Sequence, residues 1–175
     1  MSPLLFVVPA AVVAAVLGYA STRPDHMRVQ RSRSIRATPA QVFARVNRFS
    51  QWLQWSPWDK LDPGMARTYS GSDEGVGAAY AWQGNRKVGS GRMEITESVP
   101  TQRVVIKLDF LTPFEAHNTT VFEFEPDGEN TTVTWTMTGP NLFMGKVMGL
   151  FMDMDAMIGK DFETGLANLK AAVES

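Results

Sequence analysis

The chain has 175 residues, of which 44% are apolar, with 17 basic residues, 18 acidic residues and no cysteine. This length suits one domain of ordinary size, which buries a core without covalent cross-links. The missing cysteines exclude disulfides and thiolate metal sites, and the net charge of −1 argues against a generally basic nucleic-acid-binding protein.

The N-terminal segment differs in composition from the rest of the chain. Residues 1–20 contain no charged side chain, and 16 of them are apolar. Residues 21–36, the basic collar, carry a net charge of +4, so the remainder carries −5. The chain therefore consists of an apolar leader, a basic collar and a mildly acidic body.

The uncharged run of residues 3–20 has three interpretations. As a helix it is ~27 Å long, close to the hydrocarbon thickness of a bilayer, which favours a retained membrane anchor. Because the basic residues follow the run, an anchor would keep the body on the cytoplasmic side, with the collar on anionic headgroups. Cleavage near Ala20 would instead give a secreted or periplasmic protein. The third interpretation is a buried helix of a soluble domain.

The body begins with a predicted strand over residues 27–37 and a helix. Thr38 is a suitable N-cap, Pro39 suits the first helical position, and Gln41 completes a capping box. Apolar residues then follow at helical spacing. A segment rich in tryptophan and proline comes next, and a short helix or turn is expected there.

Six further strands are predicted, separated by turn residues. They cover residues 66–70, 78–82, 87–98, 103–111, 116–125 and 131–138. In the last three, apolar and polar residues alternate, as for Val104, Ile106 and Leu108 against Lys107 and Asp109. One apolar face and one polar face are typical of an antiparallel meander.

One long helix is predicted from residue 142 to residue 173. Its second half is amphipathic, whereas its first half is apolar on nearly every side and contains five of the ten methionines between residues 144 and 157. Such a surface must be covered by protein, ligand, membrane or a partner. Gly145 and Gly149 indicate a close approach or a segment that flexes.

Five stretches of the sequence carry a resemblance to a known family. They are residues 35–43, 52–58, 75–82, 92–97 and 162–169. Together with the order of elements, they resemble the START-like superfamily, and in particular its polyketide cyclase/dehydrase-type branch, the SRPBCC proteins. The likeness covers residues 28–173.

The resemblance implies an α+β helix-grip fold, in which a curved antiparallel β-sheet wraps around a long C-terminal helix. The expected division is an anchor or signal segment over residues 1–22, the collar and first strand over residues 23–36, and the helix-grip domain over residues 27–175. The resemblance also implies an apolar cavity between the sheet and the long helix.

Large aromatic and methionine side chains are the candidate ligand-binding residues. They are Trp52, Trp55, Tyr80, Trp82, Phe110, Phe114, Trp135, Met148 and Met152. Methionine adapts to variable shapes, and tryptophan and tyrosine offer a polar group that can orient a ligand. Packing in an ordinary core is the alternative for each of them.

His117 is the one candidate general base, because Asp109 and Glu115 lie near it in sequence. Strand alternation, however, turns His117 outward with Val121 and Glu123. The sequence contains no H-E-x-x-H, P-loop or G-x-S-x-G motif, and no cofactor is implied.

Asp153 and Asp155 suggest a metal site, but residues two apart on a helix do not face each other. We therefore predict no metal, and we expect these aspartates, with Lys160 and Asp161, on a solvated rim.

Three functions remain open. The favoured one is a membrane-tethered domain that binds a hydrophobic small molecule or lipid, because a tether keeps the cavity near a pool of apolar ligand. The second is a cyclase, dehydratase or hydrolase-type enzyme that uses the same cavity, with His117 or a cavity carboxylate as general base. The third is a protein-interaction domain with a filled core. No nucleic-acid partner is expected, and the oligomeric state is left open.

Overall fold

The computed structural model describes residues 14–175. Most of the predicted span of residues 3–20 therefore lies outside the described residues. Residues 14–21 are helical and are called α1 here. Within residues 14–175, no helix combines the length and the apolar character needed to cross a bilayer.

The strands and the first helices of the described body follow one another in the order that the sequence predicts. Its strands are β1 (His26–Ile35), β2 (Ala66–Gly71), β3 (Ala78–Gln83), β4 (Ser90–Val99), β5 (Arg103–Thr112), β6 (Ala116–Asp127) and β7 (Asn130–Pro140). Its helices are α2 (Pro39–Val46), a 3₁₀ helix (Phe49–Gln54), α3 (Pro57–Leu61), α4 (Phe143–Met148) and α5 (Met154–Glu174).

The strands form one antiparallel sheet in the order β1-β7-β6-β5-β4-β3-β2. Strands β2 to β7 are therefore a meander, and β1 pairs with β7 at its far edge. The sheet is curved, and α5 packs on its concave face, chiefly along β1. The predicted helix-grip architecture is confirmed.

The start of α2 is held by the predicted capping box. The Thr38 Oγ1 atom accepts a hydrogen bond from the Gln41 backbone N–H at 3.4 Å, and Gln41 Oε1 accepts one from the Thr38 N–H at 2.9 Å. Two donors at the helix start are thereby satisfied, and the helix buries Val42 and Val46.

The C-terminal helix was predicted as one element, and this prediction is wrong. The structure has two helices, α4 and α5, with residues 149–153 between them. Gly149 is the C-cap of α4, where its N–H donates to the Gly145 carbonyl at 2.8 Å. Asp153 then accepts a hydrogen bond from the Ala156 N–H at 2.9 Å and starts α5. Aspartate is a strong N-cap residue, which favours a new helix start over continuation.

Antiparallel pairing places successive loops at opposite ends of the sheet. The β2–β3, β4–β5 and β6–β7 turns lie at one end, the α2 end, where the Gly75 N–H donates to the Asn47 carbonyl after α2 at 3.0 Å. The β3–β4 and β5–β6 loops lie at the other, the α1 end, joined by a 2.8 Å hydrogen bond between Ser90 Oγ and Thr112 Oγ1. The concave face can therefore be divided into a half toward the α2 end and a half toward the α1 end.

Candidate ligand-binding site

The half of the concave face toward the α2 end, called the packed half, is filled by aromatic rings. Trp135 stacks on Phe162 of α5 with ring centroids 4.0 Å apart, and Phe122 lies 4.7 Å from Trp135. Trp52 and Trp55 lie 4.6 Å from each other and contact the same rings. All five residues are at most 5% exposed.

The indole N–H groups of the packed half are bonded to the protein itself. Trp52 Nε1 donates to the Val46 carbonyl at 2.9 Å, and Trp55 Nε1 donates to the Arg45 carbonyl at 3.3 Å. Trp135 Nε1 donates to Thr120 Oγ1 at 2.7 Å. None of these three N–H groups is free to orient a ligand, so the packed half acts as core.

The half toward the α1 end, called the accessible half, is more loosely covered. Strand register brings Tyr80, Met93, Leu108 and Asn118 into one row across β3 to β6. A second row, closer to the α1 end, is Trp82, Gly91 and Phe110. In the first row the residues are 7–9% exposed, and in the second Trp82 and Phe110 are only partly buried.

Gly91 lets the Trp82 indole lie flat against the sheet. A Cβ at this position would overlap the indole and come within 2.5 Å of the Asp109 carbonyl oxygen. The indole is fixed by a 3.1 Å hydrogen bond from Nε1 to the Val88 carbonyl, and it meets Phe110 edge-on at 5.8 Å. Its N–H is therefore occupied, while its ring forms part of an apolar wall.

Asn118 is the polar side chain in this apolar wall. It is 7% exposed, faces the concave side beside Leu108, and makes no side-chain hydrogen bond with residues 14–175. Its Oδ1 lies against Gly139, where a Cβ would overlap it. The amide NH₂ is consequently turned away from β7, and it is a hydrogen-bond donor available to a bound molecule.

The side chain of Asp161 in α5 is more buried than expected for a residue on a solvated rim. Burial raises the pKa of its carboxyl, opposed by the nearby charge of Lys160. It lies one helical turn before Gly165, where a Cβ would come within 3.3 Å of Pro57 in α3. Asp153 and Asp155 are engaged in other contacts, since Asp153 caps α5 and Asp155 pairs with Arg31 at 3.0 Å.

The nine residues predicted to bind ligand fall into three groups. Trp52, Trp55 and Trp135 lie in the packed half, and Tyr80, Trp82 and Phe110 lie in the accessible half. Phe114 lies in the β5–β6 loop, Met148 at the end of α4 and Met152 between α4 and α5, and they are 73%, 36% and 44% exposed. Their role in ligand binding stays a prediction.

Asn118 was missed by the sequence analysis, although a signal was present. The inward positions of β6 are Asn118, Thr120, Phe122 and Phe124. The first of these inward positions holds an amide, whereas the last two hold phenylalanines. The alternation that turns His117 outward also turns Asn118 inward, so the sequence contained this signal.

His117 lies on the convex face, as the alternation predicts. Its side chain is 60% exposed, with Nδ1 2.8 Å from Asp109 Oδ1 and Nε2 3.3 Å from Glu115 Oε1. The hydrogen bond to Asp109 raises the pKa of the imidazole. For Asp109, burial is outweighed by hydrogen bonds from His117 and Lys107, and the pKa of its carboxyl is lowered. The sheet separates His117 from the concave face.

Two surface depressions lie outside the concave face. One, of about 320 Å³, is lined by residues of α2 and the 3₁₀ helix together with Glu74. The other, of about 310 Å³, lies beside the β4–β5 turn and the end of β6. Within residues 14–175, no three His, Asp or Glu side chains are grouped to hold a metal ion.

The curved seven-stranded sheet around α5, with an apolar inner face, defines a helix-grip protein of the START-like class. Residues 26–174 match the family described as polyketide cyclase / dehydrase and lipid transport. The chain therefore belongs to this family, the SRPBCC branch to which its sequence is similar. No curated protein matches it.

Solved structures with the same fold include three of low sequence identity. Protein CV1439 of Chromobacterium violaceum is 16% identical with a TM-score of 0.60, over 87% of this chain and 99% of that one. The Aha1 dimer of Colwellia psychrerythraea is 17% identical with a TM-score of 0.60, over 85% and 96%. DynU16, from the dynemicin biosynthetic locus, is 16% identical with a TM-score of 0.58, over 87% and 48%. These likenesses show the fold.

Proposed function

We propose that the protein binds a hydrophobic small molecule or lipid on the accessible half of the concave face, and that its leader tethers it to a membrane. The observation that carries the binding proposal is an apolar wall containing one nearly buried amide, that of Asn118, which forms no side-chain hydrogen bond with residues 14–175. The family description, which joins polyketide cyclases and lipid transport, supports the same class of ligand.

The shape of the wall favours an apolar ligand. Trp82 and Phe110 present partly exposed rings, and Met93 and Leu108 complete the surface between them and Asn118. A ligand that covers these side chains gains about 25 cal/mol for each Å² of apolar surface removed from water. Met93 can change rotamer at little cost, so the wall can adapt to a ligand's shape.

Asn118 gives the proposed ligand one required polar group. Within residues 14–175, no fully enclosed side-chain nitrogen or oxygen lacks a hydrogen-bond partner, so the Asn118 amide is a polar group at the edge of the wall rather than an orphaned one. A ligand carbonyl or hydroxyl placed against Asn118 would accept a hydrogen bond from its N–H. The favoured ligand is therefore mostly apolar with a hydrogen-bonding oxygen.

The proposed tether rests on sequence and on where the chain enters the domain. The uncharged run of residues 3–20 leads into β1 at the α1 end, next to the accessible half. A tether there would keep the accessible half close to the lipid phase, where apolar ligands accumulate.

Mass spectrometry of molecules that co-purify with the full chain tests the binding proposal. We expect the wild-type protein to retain an apolar molecule, Trp82→Ala to retain much less, and Leu53→Ala to equal the wild type. Leu53 is a matched control because it is 51% exposed and lies on the 3₁₀ helix, away from the accessible half.

Lipid held only by the leader would be retained equally by all three proteins. That result would contradict the proposed site, as would a wild-type protein that carries no apolar molecule and binds none of a panel of fatty acids and hydroxylated aromatics.

A further inference from the structure

The most exposed apolar side chains of the described body are concentrated at the α1 end. They belong to two segments, the end of β5 with the β5–β6 loop, and the stretch from the end of β7 into α5. This group, the apolar rim, comprises Leu111, Phe114, Leu142, Phe143, Met144, Met148, Phe151, Met152 and Met157. Phe114 and Phe151 are 73% and 75% exposed. Exposed apolar surface on this scale marks an interaction site.

The apolar rim is fixed to the point where the leader joins the body. The Asn141 N–H donates to the Asp25 carbonyl at 2.7 Å, and Asn141 Nδ2 donates to the Pro24 carbonyl at 3.0 Å. Lys146 of α4 pairs with the Asp25 carboxylate, and Ala20 of α1 is fully buried. The uncharged run of residues 3–20 therefore ends beside the rim.

Basic side chains border the rim. Arg86 and Lys87 are exposed in the β3–β4 loop, which packs against the β5–β6 loop, since a Cβ at Gly89 would overlap the Thr112 carbonyl. Arg23 is exposed between α1 and β1. Within residues 14–175, none of these three cations forms an ion pair with a carboxylate.

Several acidic side chains near the rim have partners. Asp25 pairs with Lys146, and both Asp109 and Glu115 contact His117. Asp62, which accepts a hydrogen bond from the Asn85 N–H at 2.7 Å, and Asp153 at the start of α5 form no ion pair within residues 14–175, and Arg23, Arg86 and Lys87 remain available to headgroups. An apolar surface bordered by cations matches the interface of a bilayer that contains anionic lipids.

We propose that the apolar rim docks on the surface of an anionic lipid bilayer, with Phe114 and Phe151 inserted among the lipids and Arg23, Arg86 and Lys87 at the headgroups. This docking is distinct from the tether, because it uses the folded body rather than the leader. It turns the accessible half of the concave face toward the membrane, so an apolar ligand can pass between bilayer and protein without crossing water.

The absence of cysteine allows a direct test with single labels. Phe114→Cys and Phe151→Cys, each carrying an environment-sensitive fluorophore, are placed in the full chain with vesicles of phosphatidylcholine and phosphatidylserine that contain a lipid-borne quencher. Val76→Cys is the matched control, because Val76 is 58% exposed in the β2–β3 turn at the α2 end.

Labels at residues 114 and 151 should lose emission at least about twofold, because interfacial apolar groups insert ~5–10 Å toward the acyl chains. The label at residue 76 should be unaffected. Arg86→Glu combined with Lys87→Glu should weaken quenching at residue 114 and should not alter the folded state reported by circular dichroism.

Several results would overturn the docking proposal. Labels at residues 114 and 151 that stay unquenched on vesicle-bound protein would show a tether without docking. Blue-shifted emission without quenching by lipid would show that protein, either the leader or a second copy, covers the rim. Equal quenching at residue 76 would show non-specific adsorption. The ligand proposal is unaffected by each of these results, because it is tested by retained molecules.

Discussion

The packed half and the accessible half of the concave face are built from similar side chains but differ in what covers them. Trp135 lies under α5, stacked on Phe162, whereas the residues around Trp82 lie beyond the reach of α2 and α5. Both indoles bond their N–H to the protein. Burial by the surrounding helices, and not residue type, therefore distinguishes core from candidate binding surface.

The two halves also differ in whether their polar side chains have hydrogen-bond partners. In the packed half, Thr120 donates to the Thr136 carbonyl at 3.1 Å and accepts from Trp135, so its hydroxyl is fully used. One position earlier on the same face of β6, Asn118 has no such partner within residues 14–175. Buried polar groups in a settled core are almost always paired. Because no fully enclosed polar side-chain atom of residues 14–175 lacks a partner, Asn118 lies at the edge of this core, on the candidate site.

The largest expected loss of stability comes from removing an aromatic ring from the packed half. Trp135→Ala should lower the free energy of unfolding by about 3–5 kcal/mol, because it removes a fully enclosed ring and leaves Thr120 without its donor. Trp82→Ala, in the accessible half, should lower it clearly less. Urea unfolding followed by circular dichroism measures both. Should Trp135→Ala fail to fold, Phe162→Leu provides the comparison. Equal losses of unfolding free energy for Trp135→Ala and Trp82→Ala would contradict the distinction between a packed core and an accessible binding surface.

The second effect concerns the glycine that seats Trp82. Gly91→Ala introduces a Cβ that overlaps the Trp82 indole and approaches the Asp109 carbonyl, so we expect a loss of about 1–3 kcal/mol together with reduced ligand retention. Gly64→Ala is the control, because its Cβ would meet only Asp62 Oδ1, at 3.7 Å. Urea unfolding and mass spectrometry of retained molecules measure the two quantities. Unchanged retention in Gly91→Ala would argue that Trp82 is not part of the site.

A smaller effect is expected at Asn118. Asn118→Leu removes an amide that bonds to no side chain or backbone group of residues 14–175, so the stability of the ligand-free protein should change by less than about 1 kcal/mol while its retention of ligand falls. The matched control is Asn47→Leu, since Asn47 is buried and accepts a 2.7 Å hydrogen bond from Ser98 Oγ. That variant should lose stability. Thermal or urea unfolding of ligand-stripped protein distinguishes the two, and a loss of stability in both would show that Asn118 is structural.

The smallest effect belongs to the convex face. Because the folded protein raises the pKa of His117 above 6.5, the contact with Asp109 stabilises the fold fully below the unfolded pKa. This stabilisation is lost as the pH rises through the raised value. His117→Gln should abolish this pH dependence of the unfolding midpoint and leave ligand retention unchanged. A loss of retention in this variant would instead connect the convex face to the site.

Local sequence signals predicted most of the fold. The capping box at Thr38, the alternation of Val104, Ile106 and Leu108, and the turn residues between strands gave the elements and their order. These signals depend on neighbouring residues, so they can be read without tertiary contacts. The prediction of one continuous C-terminal helix was wrong because apolar periodicity outweighed the N-cap at Asp153.

The candidate site was harder to predict because it depends on which helix covers which strand. Trp52 and Trp82 are both tryptophans and were both predicted to bind ligand. Only Trp52 lies at the centre of the packed half. Phe114 and Met152 were predicted to bind ligand from residue type, and the structure shows them 73% and 44% exposed, so their role in ligand binding stays a prediction. Asn118 escaped notice because the candidates were chosen among aromatic and methionine side chains, although the alternation that turns His117 outward turns Asn118 inward.

The sequence by itself determined the class of fold, the antiparallel meander and the outward position of His117, because each follows from a local period or cap. It also determined the division into leader, collar and body. Only the tertiary structure decided that Trp52, Trp55 and Trp135 are enclosed by helices, that Asn118 lies in an apolar wall, and that the apolar rim lies beside the point where the leader joins the body. These facts arise from contacts between residues far apart in the chain, which no local pattern contains.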